Sequence, residues 1–209
     1  MRRRLTLLAA STVAALCLAG EARAGGGNYV FDGGTPGEQA QVRAALDASS
    51  FNWSLVRVQV TIHIARDIPS SQATPGEIWL DAELLDSGRF SWAFVQHEYG
   101  HQVDFFLLDD AKRAALKHAL DAQEWFYDQP LPHSAYGCER FASTLAWAYW
   151  QSADNALEPR SARDESAGMP PAQFRAFLTG LLRVPTRTAV PVDELANAPS
   201  SKPRRLQAR

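Results

Sequence analysis

The sequence predicts an α+β domain in which a short N-terminal β-sheet precedes a mostly helical half. Three observations carry that reading. Residues 56–64 alternate apolar Val56, Val58, Val60, Ile62 and Ile64 with polar Arg57, Gln59, Thr61 and His63, the period of a strand with one buried face. Beyond residue 90 the apolar spacing becomes that of helices, over about 90–108, 110–125 and 137–150. Turn-forming residues, among them Pro69, Pro75 and Gly76, crowd the stretch between the two halves.

The chain opens on Met1-Arg2-Arg3-Arg4, an apolar run from Leu5 to Ala19, and Ala22-Arg23-Ala24. A basic start, a short apolar run and an A-x-A site describe a secretory signal peptide over residues 1–24. The run is shorter than the roughly 20 apolar residues of a membrane span, so the expectation is a secreted or periplasmic protein with no stable membrane insertion after cleavage; an uncleaved anchor is the alternative. Cleavage would move the formal net charge from −2 to about −5, which argues against a nucleic-acid partner. One cysteine, Cys138, would remain, so no internal disulfide could form. A buried apolar role, an intermolecular link and a ligand role are all open to it.

In chain order, Tyr29-Val30-Phe31 reads as a short strand or an anchor. Thr35-Pro36-Gly37-Glu38 supplies a cap, a proline at the first helical position and a glutamate three residues after the cap, predicting a helix to about Ala48. The alternating strand follows, with His63 an ordinary histidine on its polar side. Asp67 to Gly76 reads as turn, and Glu77–Asp81 as a second strand. Asp86-Ser87-Gly88 breaks the chain before the helix over about 90–108. Asp109 and Asp110 suit the positive end of the next helix, and a further helix starts near Gly137. Ser152 to Gly168 reads as a long polar loop, Pro170-Pro171 opens a closing helix to about Leu182, and residues 185–209 read as a disordered basic, proline-containing tail. The folded domain is therefore expected over 25–184.

Within the helix over 90–108 stands His97-Glu98-Tyr99-Gly100-His101, H-E-x-x-H. Imidazoles four residues apart on a helix share one face, so both can hold one Zn²⁺ at about 2.0–2.1 Å. Glu98 then stands beside the metal, where a carboxylate can take a proton from the metal's water. With His97 at 0° and about 100° per residue, His101 falls at about 40° and Asp104 at about 340°, whereas Trp92, Val95, Tyr99, Val103 and Phe106 fall between roughly 160° and 240°. One face is chemistry and the other is core. The competing account is a helix with two surface histidines and no metal.

Catalytic zinc takes three protein ligands and keeps a position for water. The metzincin spacing would need glycine at 104 and histidine at 107, where this chain has Asp104 and Leu107, and no G-T-x-x-x-D segment follows. Glu139, 38 residues after His101 in the first turn of a later apolar helix, is the candidate third ligand, with His133 as its rival and a salt bridge at a helix start as its alternative role. Its setting, E-x-F-A-x-x-x-A, resembles the second-helix pattern of small glutamate-type zinc peptidases (minigluzincin-like proteins, and more remotely the anthrax lethal factor type); the run from His97 to Trp150 also resembles a stretch of uncharacterised exported bacterial proteins. The resemblance covers about a quarter of the chain. It implies a zincin-like fold, zinc held by His97, His101 and Glu139, a peptide or protein substrate, and a cleft whose rim is the strand before the motif helix, here Glu77–Asp81. The chain departs from the thermolysin-like form E-x-x-x-D, with Ser143 where aspartate is expected, so the residue that orients a metal-bound histidine is left unassigned.

Asp104 lies on the metal face but about 4.5 Å further along the axis than His101. It is badly placed as a ligand but suited to hold a ring nitrogen or a neighbouring cation; plain solvation is the alternative. Tyr136 and His133, just before Glu139, are candidate donors to a developing oxyanion, with packing the other account of Tyr136. Trp79, Phe94 and Phe105 are aromatic candidates for the cleft, and His118 reads as solvated. The expectation is thus an exported zinc-dependent endopeptidase with Glu98 as general base. A zinc-binding or partner-binding exported protein without turnover, and a metal-free helical interaction domain, stay open.

Overall fold

Parallel pairing across one helix starts the sheet. In this computed structural model, which describes residues 26–183, β1 (Tyr29–Gly33) pairs in parallel with β2 (Val60–Ala65) and the crossover is α1 (Pro36–Ala48). The signal peptide read over 1–24 and the tail read over 185–209 lie outside the described residues. Helix α1 opens with the expected reciprocal cap: Glu38 N donates to Thr35 Oγ1 at 3.3 Å and Thr35 N to Glu38 Oε2 at 2.6 Å. Strand β2 starts four residues later than the alternation suggests. The pairing with β1 begins at Tyr29 opposite Val60, and upstream Trp53–Leu55 form a 3₁₀ turn.

Strand β3 (Gln72–Thr74) runs antiparallel to β4 (Glu77–Asp81), which pairs in parallel with β2, giving the order β1-β2-β4-β3. Two expectations change here. The stretch read as turn holds a short strand, invisible to periodicity because three residues carry no pattern. The margin strand on this side of the sheet is β3, and Glu77–Trp79 of β4 are paired on both edges, by β2 and by β3, so that stretch cannot receive an extended partner.

The helical half follows: short α2 (Ala82–Asp86), the motif helix α3 (Trp92–Leu107), α4 (Asp110–Ala119), α5 (Gly137–Tyr149) and α6 (Pro171–Arg183). The whole is α+β, a four-stranded sheet with six helices among the described residues. The core lies where Ile62, Ile64, Ile78 and Leu80 of the sheet meet Val42 and Leu46 of α1 and Val95, Tyr99 and Val103 of α3. Helix α3 is buried on both faces from Val95 to Asp104, because α5 covers the side that carries the motif. Phe106, placed with the core by its angle, is 39% exposed beyond the end of the packed region.

Gln102, also on α3, ties the sheet margin to the motif. Its side chain donates to Thr74 O (2.9 Å) and Glu77 O (3.1 Å) and accepts from Gly76 N (2.9 Å), so the β3–β4 turn is held to the helix. Helix α4 stops at Ala119 rather than near Trp125, since Asp121 takes φ +54°, a left-handed value that ends a right-handed helix. No helix among the described residues is long and apolar enough to cross a membrane.

Candidate metal centre

Two glycines determine how α5 meets α3. A Cβ on Gly137 would lie 2.4 Å from Trp125 Cε3, so only glycine fits at the first position of α5, where Gly137 N donates to Glu124 O at 2.6 Å and Cys138 N to Trp125 O at 3.1 Å. A Cβ on Gly100 would lie 3.2 Å from Ala142 Cα. Small residues on both helices let the two backbones approach, and Glu139, in the first turn of α5, is laid across His97 and His101.

The result is a tight triangle of donor atoms. His97 Nε2 and His101 Nε2 are 3.1 Å apart, and Glu139 Oε2 is 3.1 Å from the first and 3.5 Å from the second. Ligands at about 2.0–2.1 Å from a tetrahedral ion sit about 3.3 Å from one another, so these edges match one face of such a tetrahedron. All three side chains are buried, Glu139 to 4% exposure. Two facing ring nitrogens and an anionic oxygen make a donor set that could hold a metal cation. The triangle floors a cavity of about 600 Å³ that Glu98, Phe94, Phe105 and Phe126 also line.

The electrostatics follow from this packing. Burial works to raise the Glu139 carboxyl, but hydrogen bonds from His101 and His97 outweigh it and hold the group far below the usual carboxylate range. Burial works to lower His97, and its hydrogen bond to Glu139 with the charges of Glu98 and Glu139 raises it instead. Glu98, 7% exposed, is raised by burial, with the two imidazoles pulling the other way.

The chain matches no family model, no curated protein and no solved structure.

Most of the residues singled out in the sequence come together here. His97, Glu98, His101, Glu139 and His133 all line the cavity, His133 with Nε2 3.4 Å from Glu139 Oε2. Phe94 and Phe105 line it as well, whereas Trp79 stacks on His63 at 5.0 Å and His63 bonds Asp32 at 2.8 Å. Tyr136 is a correction. It is 3% exposed, donates its hydroxyl proton to Gln129 O and accepts from Leu131 N at 2.9 Å, so it fastens its own loop instead of reaching the cavity. The tyrosine that does reach in is Tyr127, whose hydroxyl donates to Glu139 Oε1 at 2.7 Å; it stands in an irregular loop where no periodicity points to it. Cys138 lines the cavity wall, and burial together with the adjacent Glu139 carboxylate pushes its thiol well above its usual range.

Asp104 turns from the histidines to a cation and an indole: Oδ1 accepts from Arg113 Nε at 2.8 Å and Oδ2 from Trp125 Nε1 at 3.0 Å, with the residue fully buried. It supports the Trp125 wall against which α5 begins. Asp104→Ala strands Arg113 and the indole N–H, a loss of about 3–5 kcal/mol for breaking a buried pair. Urea unfolding of metal-free protein checks this; unchanged stability with weakened metal binding would instead assign Asp104 to orienting a histidine.

Two further residues stand behind His97: Ser143, which the sequence marked only as a departure from E-x-x-x-D with no role assigned, and Glu165, which it did not single out. Ser143 Oγ lies 3.0 Å from His97 Nδ1, and Glu165, in a 3₁₀ turn over Glu165–Gly168, lies 3.0 Å from Ser143 Oγ and 2.5 Å from His133 Nδ1. Ser143 sits one turn after Glu139, at the position where the sequence shows a serine in place of the expected aspartate. Glu165 comes from the segment read as a polar loop and carries no local signal.

Proposed function

We propose that this chain is an exported zinc-dependent metallopeptidase of the glutamate-ligand, or gluzincin, class, with a zincin-like fold built around the H-E-x-x-H helix. One observation carries the reading: the donor atoms of His97, His101 and Glu139 are spaced as one tetrahedral face, at the floor of a cavity that Glu98 shares. Zinc held there supplies Lewis acidity, polarising a carbonyl and lowering the pKa of water to about 7.

The chain's own residues do the rest. Glu98 accepts the proton of the attacking water and passes it to the departing amine nitrogen as the amide bond breaks, which regenerates the carboxylate. Its burial supports that role, since a carboxylate less stabilised by solvent is a stronger base. His133, with Glu165 against its Nδ1, is the available donor to the oxygen on which charge develops. Gln72 and Ala73 of the margin strand β3 line the cavity, where an extended peptide can add as a further strand, and Phe94, Phe105 and Phe126 favour apolar side chains beside the scissile bond.

Two measurements test the proposal. Metal analysis of the purified protein is expected to give about one zinc per chain. A mixed peptide library is expected to be cut at internal bonds, with cutting stopped by a chelator and restored by Zn²⁺. Zinc without cleavage would make this a non-catalytic zinc-binding protein, and no metal at all would leave a helical interaction domain.

A further inference from the structure

When His97 holds a metal through Nε2, its ring is neutral and its one N–H is on Nδ1. That fixes the direction of the bonds behind it. Nδ1–H donates to Ser143 Oγ at 3.0 Å, so the hydroxyl must send its own hydrogen elsewhere, and the acceptor within reach is Glu165 Oε2 at 3.0 Å. The other oxygen of the same carboxylate faces His133 Nδ1 at 2.5 Å. An ionised carboxylate accepts at both oxygens, which matches what this position asks for.

Glu165 is also held where it is. Thr144 Oγ1 donates to Glu165 O at 3.4 Å. Just upstream, the Asp164 carboxylate accepts from Arg160 N at 2.6 Å and from Ser161 N and Ser161 Oγ, both at 2.9 Å, and Ser166 just downstream is buried. The loop is thereby pinned on both sides of the residue that enters the site.

We infer that Glu165 is a positioning residue that orients two imidazoles at once: His97 through the Ser143 hydroxyl, and His133 directly. The uncharged Ser143 reaches a carboxylate on a different segment, so the ring behind the metal and the ring at the cavity wall share one anchor. The inference rests on the reading of His97, His101 and Glu139 as the metal-holding set.

Its test is zinc affinity and ring N–H signals in the full-length protein. Zinc affinity, measured by competition with a chromophoric chelator, is expected to fall about 10- to 100-fold in Ser143→Ala and in Glu165→Ala. The double variant should be no weaker than the weaker single one, because both remove the same chain of bonds. In ¹⁵N-edited spectra of zinc-loaded protein, Ser143→Ala should lose the Nδ1–H signal of His97 alone, whereas Glu165→Ala should lose that of His133 and shift that of His97, whose Ser143 partner then lacks its own acceptor. Metal-free variants with wild-type thermal unfolding midpoints would show that the losses do not come from misfolding. Unchanged affinity in both variants, losses that multiply in the double variant, or a His133 signal untouched by Glu165→Ala would overturn the inference while leaving the metal centre standing. Wild-type protein that binds no zinc would overturn the metal centre itself.

Discussion

Glu98→Gln is expected to cut kcat/KM for peptide hydrolysis by about 10²–10⁴-fold, the range a positioned general base contributes, with zinc still bound at about one per chain. Glutamine keeps the size and one acceptor oxygen of glutamate but cannot carry a proton away from water at neutral pH. The metal should be unaffected, since the donor triangle is made by His97, His101 and Glu139 and Glu98 lies beside it on the cavity floor. The measurement pairs turnover with metal content on the same preparation. Turnover at the wild-type rate would remove Glu98 from the mechanism, and loss of zinc would move it into the ligand set.

Glu139→Ala should have the largest effect on metal binding. Structural zinc sites bind with about 10–16 kcal/mol shared among four ligands, or about 2.5–4 kcal/mol each, so losing one corresponds to a fall of roughly 10²–10³-fold in affinity. Chelator competition measures it directly, and wild-type affinity in the variant would dismiss the triangle as a binding site. The metal-free protein gives a second readout with a definite sign. A carboxyl held below its unfolded value stabilises the fold above that value, about pH 4.3 for glutamate, and loses this contribution as the pH falls toward the folded one. Because Glu139 is held down in this way, the stability gap between wild type and variant should be widest near neutral pH and narrow as the pH drops below about 4.

His97, His101 and Glu98 were legible because a helix places residues i and i+4 on one face whatever surrounds it. Glu139 was legible more weakly, from its place in the first turn of a second apolar helix and from a pattern that resembles a known one. The alternation in β2 and the capping box of α1 were visible for the same local reason. What spacing could not supply was the partner of each polar group. Tyr136 and Tyr127 are nine residues apart, and only the fold of the loop between them decides that the first bonds the backbone of Gln129 and Leu131 and the second bonds Glu139. Asp104 sits at the metal-facing angle, but Arg113 and Trp125 reach it first.

By itself, the sequence determined the motif helix and the placing of His97, His101 and Glu98 on it, because these follow from helical periodicity. The close approach of α5 through Gly100 and Ala142, the edge position of β3, and the arrival of Glu165 behind Ser143 were decided by tertiary structure alone. Each depends on which surfaces pack together over long separations in the chain, and a linear pattern carries no record of that distance.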